Sequence, residues 1–216
     1  MARVRLGILA SGRGSNLQAL IDASAGGWMD ADVAVVISDV EDAPALERAR
    51  RAGIAARYVD PGPKRARLSE EAESAVMEIL EQFGVDLVCL AGFMRIIGPG
   101  FVRCFRGRIM NIHPSLLPAF PGLKVQAKAL EYGVRFSGAT VHFVDEGVDT
   151  GPIIVQAVVP VMPGDTERSL SERILVEEHR IYPKAIQLYA EKRLRIDGRV
   201  VNILPGGSED AGSDGR

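Results

Sequence analysis

Three largely apolar runs, Val4 to Ala10, Val33 to Ile37 and Val85 to Ala91, with Arg5 and Asp86 the only charges among them, constrain this chain more than any other feature. They read as strands buried on both faces. A fourth, Arg108-Ile109-Met110, leads into Asn111-Ile112-His113. Segments of helical character lie between them. Leu17, Leu20 and Ile21 recur at helical spacing after the turn Gly12 to Asn16, and Pro44 to Ala52 has a first-turn proline and the stop Gly53. A short third strand falls at Ala56 to Val59. Pro61-Gly62-Pro63 then breaks the chain before an acidic amphipathic helix from Leu68 to Phe83, and a short helix spans Pro99 to Phe105. This alternation predicts an α/β fold with a doubly wound, mostly parallel sheet.

After Gly122 the character changes. Val125 to Tyr132 reads as a helix, while Ala139 to Val144 and Ile153 to Val159 read as strands that add antiparallel or mixed pairing. A long helix follows from Thr166 to Tyr189, kinked or divided at Pro183. Residues 1–204 are expected to form a single domain. The small polar residues 205–216 are expected to be a disordered tail.

With 26 Lys and Arg against 28 Asp and Glu, the net charge of -2 points to neither nucleic acid nor an anionic membrane as a partner. No apolar stretch reaches membrane-spanning length, and the 2 cysteines, Cys89 and Cys104, lack metal-ligand or disulfide-framework spacing. A cytoplasmic protein is expected. Oligomeric state stays open, a homodimer included.

Four segments are candidates for chemistry. On a strand, Asn111 and His113 are two residues apart and leave on the same face, an amide beside an imidazole where Pro114 and Pro118 turn the chain into a stiff loop. Such a pair suits an oxygen that gains negative charge, at the strand end where open α/β sheets place their sites. Alone, the pair reads equally as a strand cap. The turn Gly12-Arg13-Gly14-Ser15-Asn16 opens a helix, where backbone N–H groups and the helix dipole favour an anion; Ser15 or Asn16 can cap that helix. A plain tight turn is the alternative. Asp145-Glu146-Gly147-Val148-Asp149 is a solvated loop, or it delivers a carboxylate to His113; its oxygens are too few for a calcium loop. Met94-Arg95-Ile96-Ile97 is core packing or a wall for a flat ring. His142 and His179 read as structural.

In their order and spacing, Ser11 to Ala19, Ala91 to Ile96, Asn111 to Pro118 and Asp149 to Pro152 resemble the phosphoribosylglycinamide formyltransferase family, across Val4 to Leu194. Asn-x-His-Pro-Ser-Leu-Leu-Pro marks the wider formyltransferase superfamily. The N-terminal turn and Glu178-His179-Arg180-Ile181-Tyr182-Pro183 narrow the match.

The resemblance implies a Rossmann-like fold and formyl transfer from 10-formyltetrahydrofolate, as co-substrate, to the amine of glycinamide ribonucleotide in purine synthesis. Asn111 and His113 would stabilise the tetrahedral oxyanion. Asp149 would raise the pKa of His113, hold it as imidazolium and help shuttle the amine proton. The residues Gly12, Arg13, Gly14, Ser15 and Asn16 would hold the substrate phosphate, and Glu178 would contact the ribonucleotide. Folate would lie against Met94, Arg95, Ile96 and Ile97 and the loop of Asp145, Glu146, Gly147 and Val148. Arg67, with Arg65 as its rival, would also contact ligand. No metal is required.

Formyltetrahydrofolate deformylases share the triad but carry an added N-terminal domain, and methionyl-tRNA formyltransferases add a C-terminal one; neither addition is evident here. A nucleotide-binding module without chemistry is a third reading. An NAD-dependent oxidoreductase is a fourth, set back by Leu17 at the third glycine position and by the lack of an acidic ribose partner on strand two.

Overall fold

The computed structural model describes residues 3–63 and 66–206. Among these, β1 (Val4–Leu9), β2 (Ala31–Ser38), β3 (Ala55–Tyr58), β4 (Leu87–Leu90) and β5 (Ile109–His113) run parallel. They are joined by α1 (Ser15–Ala25), α2 (Pro44–Arg51), α3 (Glu70–Gln82) and α4 (Pro99–Cys104). Beyond them come α5 (Val125–Tyr132), β6 (Phe136–Phe143), β7 (Ile153–Pro160), α6 (Glu167–Ala190), β8 (Leu194–Asp197) and β9 (Val200–Ile203). The nine strands form one sheet in the order β3-β2-β1-β4-β5-β6-β7-β9-β8, and β6 pairs antiparallel with both β5 and β7. The α/β, mostly parallel architecture with antiparallel additions is therefore as the sequence predicts.

Period-two alternation divides the core. Leu6, Ile8, Leu87, Cys89, Met110 and Ile112 join the core shared with α1, α2, α5 and α6, whereas Leu9, Val88, Leu90 and Ile109 face the core built with α3 and α4. Asn111 and His113, in phase with Ile109, leave the sheet on this second side. Cys89 is the core residue expected, its thiol pushed up to about 12 by burial and so inert at neutral pH.

The long helix is neither divided nor interrupted at Pro183: α6 is helical from Glu167 to Ala190. A proline there removes one helix N–H, yet Tyr182, Ala185 and Ile186 around it are fully buried, and that packing holds the helix through the missing bond. The Tyr182 hydroxyl also lies 3.0 and 3.1 Å from the carbonyls of Leu90 and Met110, bracing β4 and β5 behind the site. The hairpin β8–β9 was not legible; it extends the sheet, and Arg199 Nη2 donates to the Thr150 carbonyl at 3.0 Å. Of the expected disordered tail, residues 207–216 lie outside the described residues, as does Arg65. Among the described residues, no helix is long and apolar enough to cross a membrane.

Candidate active site

The Gly12–Asn16 turn, the 94–97 segment and the Asn111–His113 pair lie at the carboxyl ends of β1, β4 and β5, which are consecutive in the sheet. At strand spacing, the ends of β1 and β5 stand about 10 Å apart with β4 between them.

His113 and Asp149 meet, with Nδ1 3.4 Å from Oδ2 and both side chains about a tenth exposed or less. Sequence spacing could not bring these residues together. The loop after β6 folds back over the open face of β5, and Gly151 makes this possible because a Cβ there would overlap the Phe143 carbonyl. Asp149 itself adopts φ 55°, a left-handed conformation that Asp and Asn tolerate better than most residues. The Gly122 amide donates to Asp149 Oδ2 at 2.8 Å, and His113 Nε2 lies 3.0 Å from the Phe120 carbonyl. Both nitrogens of the imidazole therefore face acceptors.

Burial acts against the charge of each group, with different outcomes. For His113, burial lowers the pKa below 6.5, outweighing the upward pull of the Phe120 carbonyl and the Asp149 charge. For Asp149, burial raises the pKa, but the His142 ring, the Gly122 amide and the charge of His113 outweigh it, so the carboxyl lies below 3.8. The expectation that Asp149 holds His113 as imidazolium is thus corrected for the unliganded protein. Asp149 pulls in the expected direction, and burial prevails. At neutral pH the pair is a carboxylate beside a mostly neutral ring, backed by two acceptors that favour a proton once one arrives.

Asn111 Nδ2 lies 3.2 Å from His142 Nε2 and 3.4 Å from Asp149 Oδ1. The His142 Nδ1 is 2.8 Å from the Phe143 carbonyl, which can only accept, so Nδ1 carries a hydrogen, and in the neutral ring Nε2 then presents a lone pair to Asn111. His142 Nε2 is also 3.7 Å from Asp149 Oδ1. Read from sequence as structural only, His142 belongs to this cluster. The missing signal was register: β6 opposes His142 to Asn111, beside a register shift between Val141 and His142.

The Gly-rich turn forms the second part. Gly14 is the N-cap of α1, at φ 71° and without a side-chain cap. A Cβ on Gly14 would come within 2.9 Å of Ala45 Cα and Cβ. The expected capping by Ser15 or Asn16 does not occur, because both lie inside the helix; Asn16 instead donates from Nδ2 to Glu178 Oε2 at 2.6 Å. Burial raises the Glu178 pKa above 4.5, opposed by the Asn16 hydrogen bond. An uncapped helix start beside a buried carboxyl suits a phosphate whose neighbouring group donates hydrogen bonds.

Between these parts lies the segment after β4. The Ser11 amide donates to the Gly92 carbonyl at 3.1 Å, and Ser11 Oγ accepts from the Met94 amide at 2.8 Å. Met94 is exposed, whereas Ile97 is buried in the α3–α4 core. Arg95 Nε holds Asp39 Oδ2 at 2.7 Å. Asp39 follows β2 directly, so an acidic residue does stand near the ribose-partner position of a dinucleotide fold, engaged by Arg95. Arg67 pairs with Ile96 in a parallel bridge, beside the same segment.

The acidic loop is partly self-contained. Asp145 Oδ1 accepts from the Gly147 amide and the Thr150 hydroxyl, Glu146 pairs with Arg103, and Val148 is half-exposed. Among the described residues, no group of three or more His, Cys, Asp or Glu side chains is placed to hold a metal ion.

A model of the formyl transferase family matches residues 4–186. A trifunctional purine biosynthetic protein adenosine-3 from Drosophila pseudoobscura pseudoobscura is 49% identical over 212 residues, covering 97% of this chain and 15% of that protein. The chain spans a fifth or less of the length of such trifunctional relatives. A phosphoribosylglycinamide formyltransferase from Escherichia coli is 44% identical over 189 residues, 88% of each chain. A crystal structure of glycinamide ribonucleotide transformylase 1 from Symbiobacterium toebii superposes with a TM-score of 0.90 at 56% identity, covering 94% of this chain and 95% of that one.

Proposed function

Because the chain belongs to the formyl transferase family, we propose that it moves a formyl group from 10-formyltetrahydrofolate to the amine of glycinamide ribonucleotide in de novo purine biosynthesis. The observation that carries this reading is the convergence of Asn111, His113 and Asp149 within 3.4 Å contacts at the end of β5.

The Gly12–Asn16 turn receives the substrate phosphate on the N–H groups of α1, and Glu178 accepts from a ribose hydroxyl. Folate lies against Met94 to Ile96, with the backbone around Ile97 and the Asp145 to Val148 loop reading its ring edge, and Arg67 near its far end. The amine attacks the formyl carbon, leaving negative charge on oxygen and an extra proton on nitrogen. Asn111 donates an N–H to that oxygen, giving up its longer contact, the one to Asp149. His113 accepts the amine proton at Nδ1, relayed by Asp149. The imidazolium, its Nε2–H on the Phe120 carbonyl and its Nδ1–H on Asp149, stabilises the oxyanion by its charge. The carbon–nitrogen bond to the folate breaks as this proton passes to the folate nitrogen. No step calls for a metal.

The test is an absorbance assay of folate release from 10-formyltetrahydrofolate, with and without glycinamide ribonucleotide. Release that depends on the ribonucleotide is expected. Release without it would make the chain a deformylase, and no release would leave only a binding role.

A further inference from the structure

We propose that Arg48, on α2, is a positioning residue for the phosphate turn: it keeps the Arg13 carbonyl turned outward, so that the turn presents N–H groups to the anion. This rests on the assignment of the Gly12–Asn16 turn to the substrate phosphate.

A backbone loop binds an anion only if its carbonyl oxygens, which carry partial negative charge, point elsewhere. Three successive carbonyls of this turn are engaged away from the cradle. The Gly12 carbonyl accepts from the Ala45 amide at 3.1 Å, and the Gly14 carbonyl from the Gln18 amide at 2.9 Å. Between them the Arg13 carbonyl accepts from Arg48 Nε at 2.8 Å. The first and last bonds are backbone to backbone, whatever the side chains. The middle one depends on a single side chain.

Arg48 is itself fixed, because Nη1 donates to Gln18 Oε1 at 3.2 Å, and its Cδ lies where a Cβ on Gly14 would come within 3.3 Å. Two nitrogens of one planar group thus tie α2 to both the turn and α1. A lysine brings the same charge as a single point and lacks this fork.

The experiment measures kcat and KM for glycinamide ribonucleotide and for its phosphate-free riboside, in wild type, Arg48→Met, Arg48→Gln and Arg48→Lys. Thermal melts confirm that each variant is folded, and inorganic phosphate is tested as a competitor against the ribonucleotide. Arg48→Met and Arg48→Gln are expected to raise KM for the ribonucleotide about tenfold, the scale of one charge-assisted hydrogen bond. Their kcat should stay within about twofold, and kcat/KM for the riboside should not change. Competition by phosphate should weaken in parallel, and Arg48→Lys should recover only part of the loss.

Full recovery in Arg48→Lys would show that charge alone matters and overturn the positioning role. Equal losses on both substrates, or an unchanged KM and phosphate competition, would overturn it too. If wild type does not prefer the phosphorylated substrate, the phosphate assignment itself fails. A normal wild-type preference that survives in Arg48→Met removes the role of Arg48 alone.

Discussion

Asn111 and His142 face each other across the β5–β6 pair, with the amide nitrogen of one 3.2 Å from the ring nitrogen Nε2 of the other. Because the Phe143 carbonyl commits Nδ1 as a donor, the neutral His142 ring offers Asn111 an acceptor, and Asp149 offers it a second. Two acceptors on one side select the orientation of the amide, with its nitrogen toward His142 and Asp149. His142→Phe should remove that selection, lowering kcat on the order of tenfold while KM stays within about twofold. His142→Gln, which restores an acceptor, should recover part of the loss. Equal activity in the Phe and Gln variants would argue against this role.

Replacement of either member of the His113–Asp149 pair should cost turnover without unfolding the chain. Asp149→Asn keeps a residue that tolerates the left-handed backbone of that position. It and His113→Ala should each reduce kcat on the order of 10²–10³-fold, with cooperative thermal melts showing that each variant is folded. A variant with near-normal kcat would remove its residue from the mechanism.

The His113 ring should titrate below 6.5 in the free protein, since burial prevails over Asp149. Histidine titration by NMR checks this, and Asp149→Asn should move the midpoint further down by removing the upward pull of the carboxylate. A wild-type midpoint above 6.5 would restore a resting imidazolium. The linkage follows. With both His113 and Asp149 depressed in the folded state, their contributions are fully present above their unfolded values of 6.5 and 3.8 and are lost as pH falls through the folded ones. Melting temperature should therefore decline on acidification below 6.5.

Glu178 has the opposite sign. Its folded pKa is raised, so its contribution is complete below 4.5 and is lost as pH rises through the folded value. At neutral pH the buried carboxylate is a cost. Glu178→Gln should raise the melting temperature at pH 7, and the gain should shrink as the pH is lowered toward 4.5. The same change should raise KM for the ribonucleotide about tenfold. A lower melting temperature at pH 7 would contradict this reading.

Elements with strong local signals were legible in the sequence. Largely apolar runs gave β1, β2 and β4, and period two placed Asn111 and His113 on one face. Residues whose role depends on a partner distant in sequence were harder to read. His142 needed the β5–β6 register, and Asp149 needed the folding back of its loop; only the family resemblance had linked Asp149 to His113. The capping expectation failed because Gly14 takes the N-cap position in a conformation open to glycine and closed to most side chains. The β8–β9 hairpin was missed because its strands are four residues each and carry Arg195, Asp197 and Asn202 among their apolar residues. The balance of charge at His113 was also out of reach, since spacing says nothing about burial.

The Ser11 hydroxyl and amide join the phosphate turn to the segment that ends β4. In the proposed function, the two ligand regions are therefore joined by hydrogen bonds through Ser11. A ligand that shifts the Met94 amide must either carry the Ser11 end of the other region with it or break the bond between them. Affinity for one substrate then becomes a function of occupancy by the other, and by reciprocity the dependence has the same size in both directions. An inhibitor aimed at the β4 segment would accordingly have a different strength when the nucleotide region is empty than when it is full.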